Sequence, residues 1–416
     1  MLDRTNRLNI SFIVVSAFVV ATLFYLNIYL GPTYGGDIEW YIMAAEGNWD
    51  QIIQPYSSRF LHPFTVSLFS FLTGLDIFQS FGVVVIASLF LFFVVVTKIL
   101  GDNIKNPLLI IPLFFLPYFF DTLRYTFHPD AFYLLLTAFF FLSLYLKSEV
   151  WTVILLFLMF LTRESTILLA LLFALISWIK NKKILTYSVL IIIAASFFVS
   201  SILISGGQPN IHNLNGFTYL FSKLVFNSMT NVLGIIPWAN TYNNCAPLIN
   251  FDLSNIIPLG SIKEVGICGF DYSLPAKSLI TLLTIFGVLP FVLLFIYIKK
   301  KNEFSVLPFW IKLALLYGVT HYVFGVIAGT SIERLVGYGW PAFILATPIL
   351  MNKYITNNQN FIFKISSIHI FVAWMPFMIM KIGNNDPKLF LPIVLIIFAS
   401  YFYLYQILKT SLKNKN

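Results

Sequence analysis

The chain has 416 residues, 59% of them hydrophobic and 10% charged, with 45 phenylalanines and a formal net charge of +9 at pH 7. One globular core cannot bury so much apolar surface, which excludes a water-soluble enzyme or binding domain and leaves a polytopic membrane protein. The basic excess sorts to one side of the membrane, so it is a topology signal and not a nucleic-acid footprint.

A helix needs roughly 20 apolar residues to cross the ~30 Å hydrocarbon layer. Apolar runs recur at 8–30, 77–99, 107–120, 131–147, 150–163, 165–180, 184–205, 279–298, 305–328, 338–352, 360–381 and 388–408. They predict an all-α, polytopic integral membrane helical bundle of about twelve transmembrane helices, within roughly ten to thirteen. The first run follows Arg4 and Arg7, is too long for a signal-peptide core and has no small-residue cleavage site behind it. It is therefore expected to stay as an anchor.

Residues 31–76 form the first outer loop, which opens with GGDIEWYIMAAEGNWDQIIQPYSSRFLHP at 35–63. IEWYIMAAEG has the composition of a short interfacial helix with Ile38, Ile42 and Ala45 on one face, begun by Asp37. As an N-cap Asp37 would contribute about 1 kcal/mol; as a carboxylate in a wet pocket it is a candidate base. Glu39, two residues on, points away from it in a helix. Trp40, Tyr41, Trp49 and Tyr56 are the amphipathic rings of a headgroup-level belt. The run at 60–74 is read as a second interfacial helix, because a crossing there would turn Lys98 and Lys105 outward.

Further along, DTLRYTFHPD groups Asp121, Arg124, His128 and Asp130, TRES pairs Arg163 with Glu164, and IERLVGYGWP pairs Glu333 with Arg334. Charges at membrane depth are costly, so they line a cavity or pair with each other. The four arginines after Arg7 all map to the outer side, whereas the cytoplasmic loops use lysine. A guanidinium offers a planar fork of donors for carboxylate or phosphate, so these four either stitch helix ends together or surround an anionic headgroup.

The second outer segment, 206–278, separates an N-terminal transmembrane module (1–205) from a C-terminal one (279–416) and is expected to hold an amphipathic helix at about 216–233. It also holds the two cysteines, Cys245 and Cys268. In an oxidising compartment a disulfide between them would be worth on the order of 3 kcal/mol; the alternative is two free thiols. His62, His128 and His321, with Asp37, Glu39 and Asp130, are competent ligands for a divalent metal. No tight spacing supports such a site, so hydrogen-bonded histidines and no bound metal are the plainer expectation.

With the N-terminus in the cytoplasm and alternating crossings, lysines concentrate inside and most acids outside, a positive-inside pattern. It predicts a multi-pass cell-membrane protein, both termini cytoplasmic, with a periplasmic or extracellular site.

The order of these features resembles the glycosyltransferase-C superfamily, which includes protein O-mannosyltransferases and the aminoarabinose transferases of lipid A. The resemblance lies in Asp37, Glu39 and Tyr41 after the first span, Arg59 and Pro63 before an interfacial helix, LTRES at 161–165 and ERLVGYGWP at 333–341. It implies a lipid-linked sugar donor, a polyprenyl phosphate, whose sugar passes with inversion to a glycan or lipid acceptor among the membrane lipids. It further implies Asp37 as general base, with Glu39 positioning the acceptor or supporting Asp37. Arg59, Arg163, Arg334 and Arg124 would hold the donor phosphate. Tyr41, His62, His128, Asp130 and Glu164 would line the sugar and acceptor pocket. Two rivals stand: a surface-polysaccharide polymerase or ligase using a polyprenyl-diphosphate donor, and a lipid or solute transporter.

Overall fold

The structure, a computed structural model, describes residues 4–30, 37–53, 55–104, 111–204, 216–240, 245–252, 262–329, 331–355, 359–383 and 386–412. Most of these are helical. The N-terminal part contains α1 (Arg4–Leu30), α2 (Ile38–Ala45), α3 (Leu61–Thr73), α4 (Ile77–Asn103), α5 (Ile111–Phe114), α6 (Pro117–Arg124), α7 (Asp130–Tyr145), α8 (Glu149–Phe160), α9 (Thr166–Ile179) and α10 (Lys183–Ile204). After α11 (Gly216–Leu233) come strands β1 (Ile235–Ala239), β2 (Ile249–Asp252) and β3 (Glu264–Phe270). The C-terminal part contains α12 (Ser273–Thr284), α13 (Leu289–Lys300), α14 (Phe309–Ala328), α15 (Ile332–Gly337), α16 (Thr347–Tyr354), α17 (Gln359–Ile382) and α18 (Phe390–Ser411).

Among the described residues, five stretches are long and apolar enough to cross a membrane: Ile77–Asn103, Phe309–Ala328, Ile332–Tyr354, Gln359–Met380 and Pro387–Ser411. The other apolar helices are shorter. The 12 residues of α8 rise about 18 Å at 1.5 Å per residue, well under the ~30 Å of a hydrocarbon core.

Two expected spans are broken. The run at 107–120 is not one helix: α5 and α6 are separated at Phe115 and Leu116, and residues 107–110 lie outside the described residues. Pro117 has no N–H to continue the ladder and forces Leu116 into the extended region, where it is found at φ −120° and ψ 140°. Likewise 279–298 is two helices, α12 and α13, meeting at 67°. Gly287 sits in that bend at φ +52°, against the ring of His369.

A third departure is the antiparallel sheet, order β1-β3-β2, in the segment expected to be helix and loop. Its strands are four to seven residues long and interrupted by Pro237, Gly266 and Gly269, with a register shift at Ile236/Pro237. Cys245 and Cys268 form a disulfide that ties the chain ahead of β2 to β3. It closes 23 residues, so Cys245→Ser is expected to destabilise this segment by about 3 kcal/mol. Hydrogen exchange of the β3 amides should rise accordingly, and unchanged exchange would show that the sheet needs no staple.

Inside lipid, helices attract through close packing and not through expulsion of water. Aromatic rings fill the space between α4 and its neighbours: Phe92 meets Trp340 edge-on at 4.9 Å and Phe93 meets Phe114 at 4.6 Å. Between α14 and the stretch from α15 into the turn at Pro341–Ala346 small residues do this work. A Cβ on Gly318 would lie 2.5 Å from that of Ala342, and one on Gly325 would lie 2.6 Å from the Val336 nitrogen. This close approach holds Arg334 and Tyr338 against α7. The helix resumes through a π-helical turn at Pro341–Ala346.

Candidate functional site

Loops from four parts of the sequence meet around one buried charge cluster. The first anchor is backbone: Leu61 N–H donates to Leu161 O at 2.9 Å, joining the start of α3 to the α8–α9 turn. That contact brings Arg59 to Glu164, and the guanidinium donates to both carboxylate oxygens, Nε at 3.0 Å and Nη2 at 2.6 Å. Its Nη1 donates to Tyr41 Oη at 2.5 Å, from the buried face of α2. The Glu164 side chain is 53% exposed, and the Arg59 guanidinium beside it holds the carboxyl below its usual range. The pair is therefore ionic across the physiological range.

The second anchor is Asp130, only 2% exposed, in the first turn of α7 where the helix dipole favours an anion. Pro129 precedes it and starts the helix. Arg334 donates from Nε to Oδ2 at 2.7 Å, while Arg163 Nη1 and Tyr338 Oη both donate to Oδ1. Two guanidiniums thus share one carboxylate. Arg163 keeps a buried Nε with no hydrogen-bond partner. Buried ion pairs are costly unless fully compensated, and this one leaves a net positive charge and an open donor.

These pairings differ from the sequence expectation. Glu164 bonds Arg59 and not its neighbour Arg163, and Arg334 bonds Asp130 and not Glu333, which is exposed. Adjacent residues diverge in direction at a turn or along a helix, whereas the fold brings distant ones face to face. Arg124 stays local, 3.4 Å from Asp121 on α6.

Asp37 occupies the N-cap position of α2, but its side chain caps nothing. It accepts a hydrogen bond of 2.7 Å from Tyr56 Oη, so the capping alternative fails on geometry. Glu39 is exposed: two residues before Tyr41, it lies about 200° around the helix from it and points away from the buried face at Tyr41, Ala44 and Ala45.

Lys223 is the residue that the sequence reading missed. It projects from α11, and its charge interacts with Arg59, Glu164, Arg163 and Asp37. Burial, and then Arg59, lower its pKa, with Glu164 acting the other way. The available signal was Lys223, Asn227 and Asn231, a polar stripe at helical spacing in an apolar helix. Asn231 donates to Val326 O at 2.7 Å and Gly329 O at 3.0 Å, which sets that stripe against the end of α14.

The histidines stay apart. His62 packs against Phe81 and Phe132, His128 between Tyr41 and Tyr125, and His321 against Tyr317 and Tyr338. Burial pushes His62 down to about 3, and burial followed by Arg334 pushes His128 down to about 3, so both rings are neutral. Among the described residues no three His, Cys, Asp or Glu side chains are grouped so that they could hold a metal ion. Comparison with protein-family models, curated proteins and solved structures gives no match.

Proposed function

We propose that this chain is a membrane glycosyltransferase of the glycosyltransferase-C type, moving a sugar from a polyprenyl-phosphate donor to a glycan or lipid acceptor. In this reading about twelve helices cross the bilayer, the shorter ones through locally thinned lipid. Both termini are cytoplasmic, and the charge cluster faces the outer side. The observation that carries the proposal is the sharing of Asp130 by Arg163 and Arg334, with a buried Arg163 Nε left without a hydrogen-bond partner. A buried site with surplus positive charge and an unused donor suits an anion, and a phosphate on a lipid tail reaches it from the membrane.

The chemistry balances with these residues. The acceptor hydroxyl attacks the anomeric carbon as Asp37 takes its proton, the new C–O bond forms, and the bond to the phosphate oxygen breaks with its electron pair. Arg163, Lys223 and Arg59 stabilise the charge that develops on the departing phosphate. Tyr56 holds the Asp37 carboxylate through its hydrogen bond. Configuration inverts because a single displacement occurs.

Arg163→Gln and Lys223→Gln are each expected to raise the donor KM roughly tenfold or more, the loss of one charged hydrogen bond, with acceptor KM unchanged. Donor titrations in proteoliposomes read this directly. Equal effects on both substrates would argue that the cluster is only structural.

A further inference from the structure

We propose that the cleft between α6, α12, α15 and α17 binds a neutral glycolipid, with its sugar at the polar mouth and its tail along the apolar wall. Resting on the transfer reading above, this makes the cleft the acceptor subsite. Two cavities of about 130 and 240 Å³ adjoin there, sharing Tyr118, Asp121 and Glu333. The smaller is also lined by Arg334, the guanidinium that bonds Asp130, so it shares a wall with the charge cluster. The larger continues past Lys277 and Thr281 to Ile280, Phe377 and Met380.

The lining chemistry selects the ligand. Carboxylates at Asp121 and Glu333 accept hydrogen bonds from sugar hydroxyls, and Lys277 donates to them. Tyr118 is 2% exposed, and its hydroxyl is buried without a hydrogen-bond partner. A buried polar group in that state calls for a ligand or water. The position of the ring is built in, because a Cβ on Gly337 would overlap it. An anionic headgroup is disfavoured here: Arg334 is committed to Asp130 and Arg124 to Asp121, and Glu333 lines the cavity together with Lys277, so no surplus positive charge faces the ligand. The apolar wall beyond the mouth matches a hydrocarbon tail, so a neutral glycolipid fits where a free sugar would leave that wall uncovered.

The test is photolabelling of the full chain in phosphatidylcholine nanodiscs with a diazirine-bearing alkyl glucoside, mapped by mass spectrometry. Label is expected on α12 and α17 peptides containing Ile280 or Met380, suppressed by octyl glucoside but not by decyl phosphate. Glu333→Gln should cut labelling roughly tenfold, and Thr281→Val should cut it less, whereas Arg163→Gln should leave it intact. Label spread over all lipid-facing helices, or unchanged in Glu333→Gln, would overturn the assignment, as would suppression by decyl phosphate. Because binding is read without turnover, specific labelling in a chain that transfers no sugar would sink the transfer reading alone. Transfer with labelling indifferent to Glu333 would sink the cleft alone.

Discussion

Asp130→Ala is expected to lower the stability of the folded chain by about 3–5 kcal/mol, the cost of removing one partner from a buried ionic group. The carboxylate answers Arg163, Arg334 and Tyr338 together, and all four side chains are nearly or fully buried. Truncation leaves two guanidiniums in a low-dielectric site with no counterion. Denaturant titration in detergent micelles measures the loss. Adding Arg334→Ala to Asp130→Ala should recover part of it, because one stranded charge is removed. A single-variant loss under about 1 kcal/mol would mean that water reaches these groups and that the cluster is an ordinary surface pair.

Asp37→Asn is expected to lower the rate of transfer by about 10²–10⁴-fold with little change in stability. The amide oxygen still accepts from Tyr56, so the local hydrogen bond survives while the proton acceptor is gone. Glu39→Gln, at an exposed position, should change the rate by no more than about twofold. Initial-rate assays at saturating donor separate the two. A collapse confined to Glu39→Gln would move the base two residues along.

The sequence made some of this legible and hid the rest for physical reasons. Apolar run lengths located α4, α14, α17 and α18, because composition alone decides which segments tolerate lipid. The use of arginine at Arg59, Arg163 and Arg334 flagged three residues that meet in space, since no orientation rule requires guanidinium over ammonium. Their carboxylate partners were not legible. Arg59 and Glu164 are 105 residues apart, Arg334 and Asp130 are 204 apart, and nothing local encodes such pairings. Pro117 did announce the break before α6, but the surrounding hydrophobicity masked it. The sheet escaped because short strands around Pro237 and Gly266 lack a clean alternation, and the disulfide at Cys245–Cys268 supplies order that periodicity cannot show. Tyr118 and Glu333 lie on different helices, so the cleft they share exists only in three dimensions.

The most direct test is transfer of labelled sugar in proteoliposomes from polyprenyl monophosphate donors, compared with polyprenyl diphosphate oligosaccharides. Wild-type chain should transfer from a monophosphate donor, the Asp37→Asn chain should fall to background, and the diphosphate should not serve. Transfer from the diphosphate donor alone, or full activity in Asp37→Asn, would contradict the account.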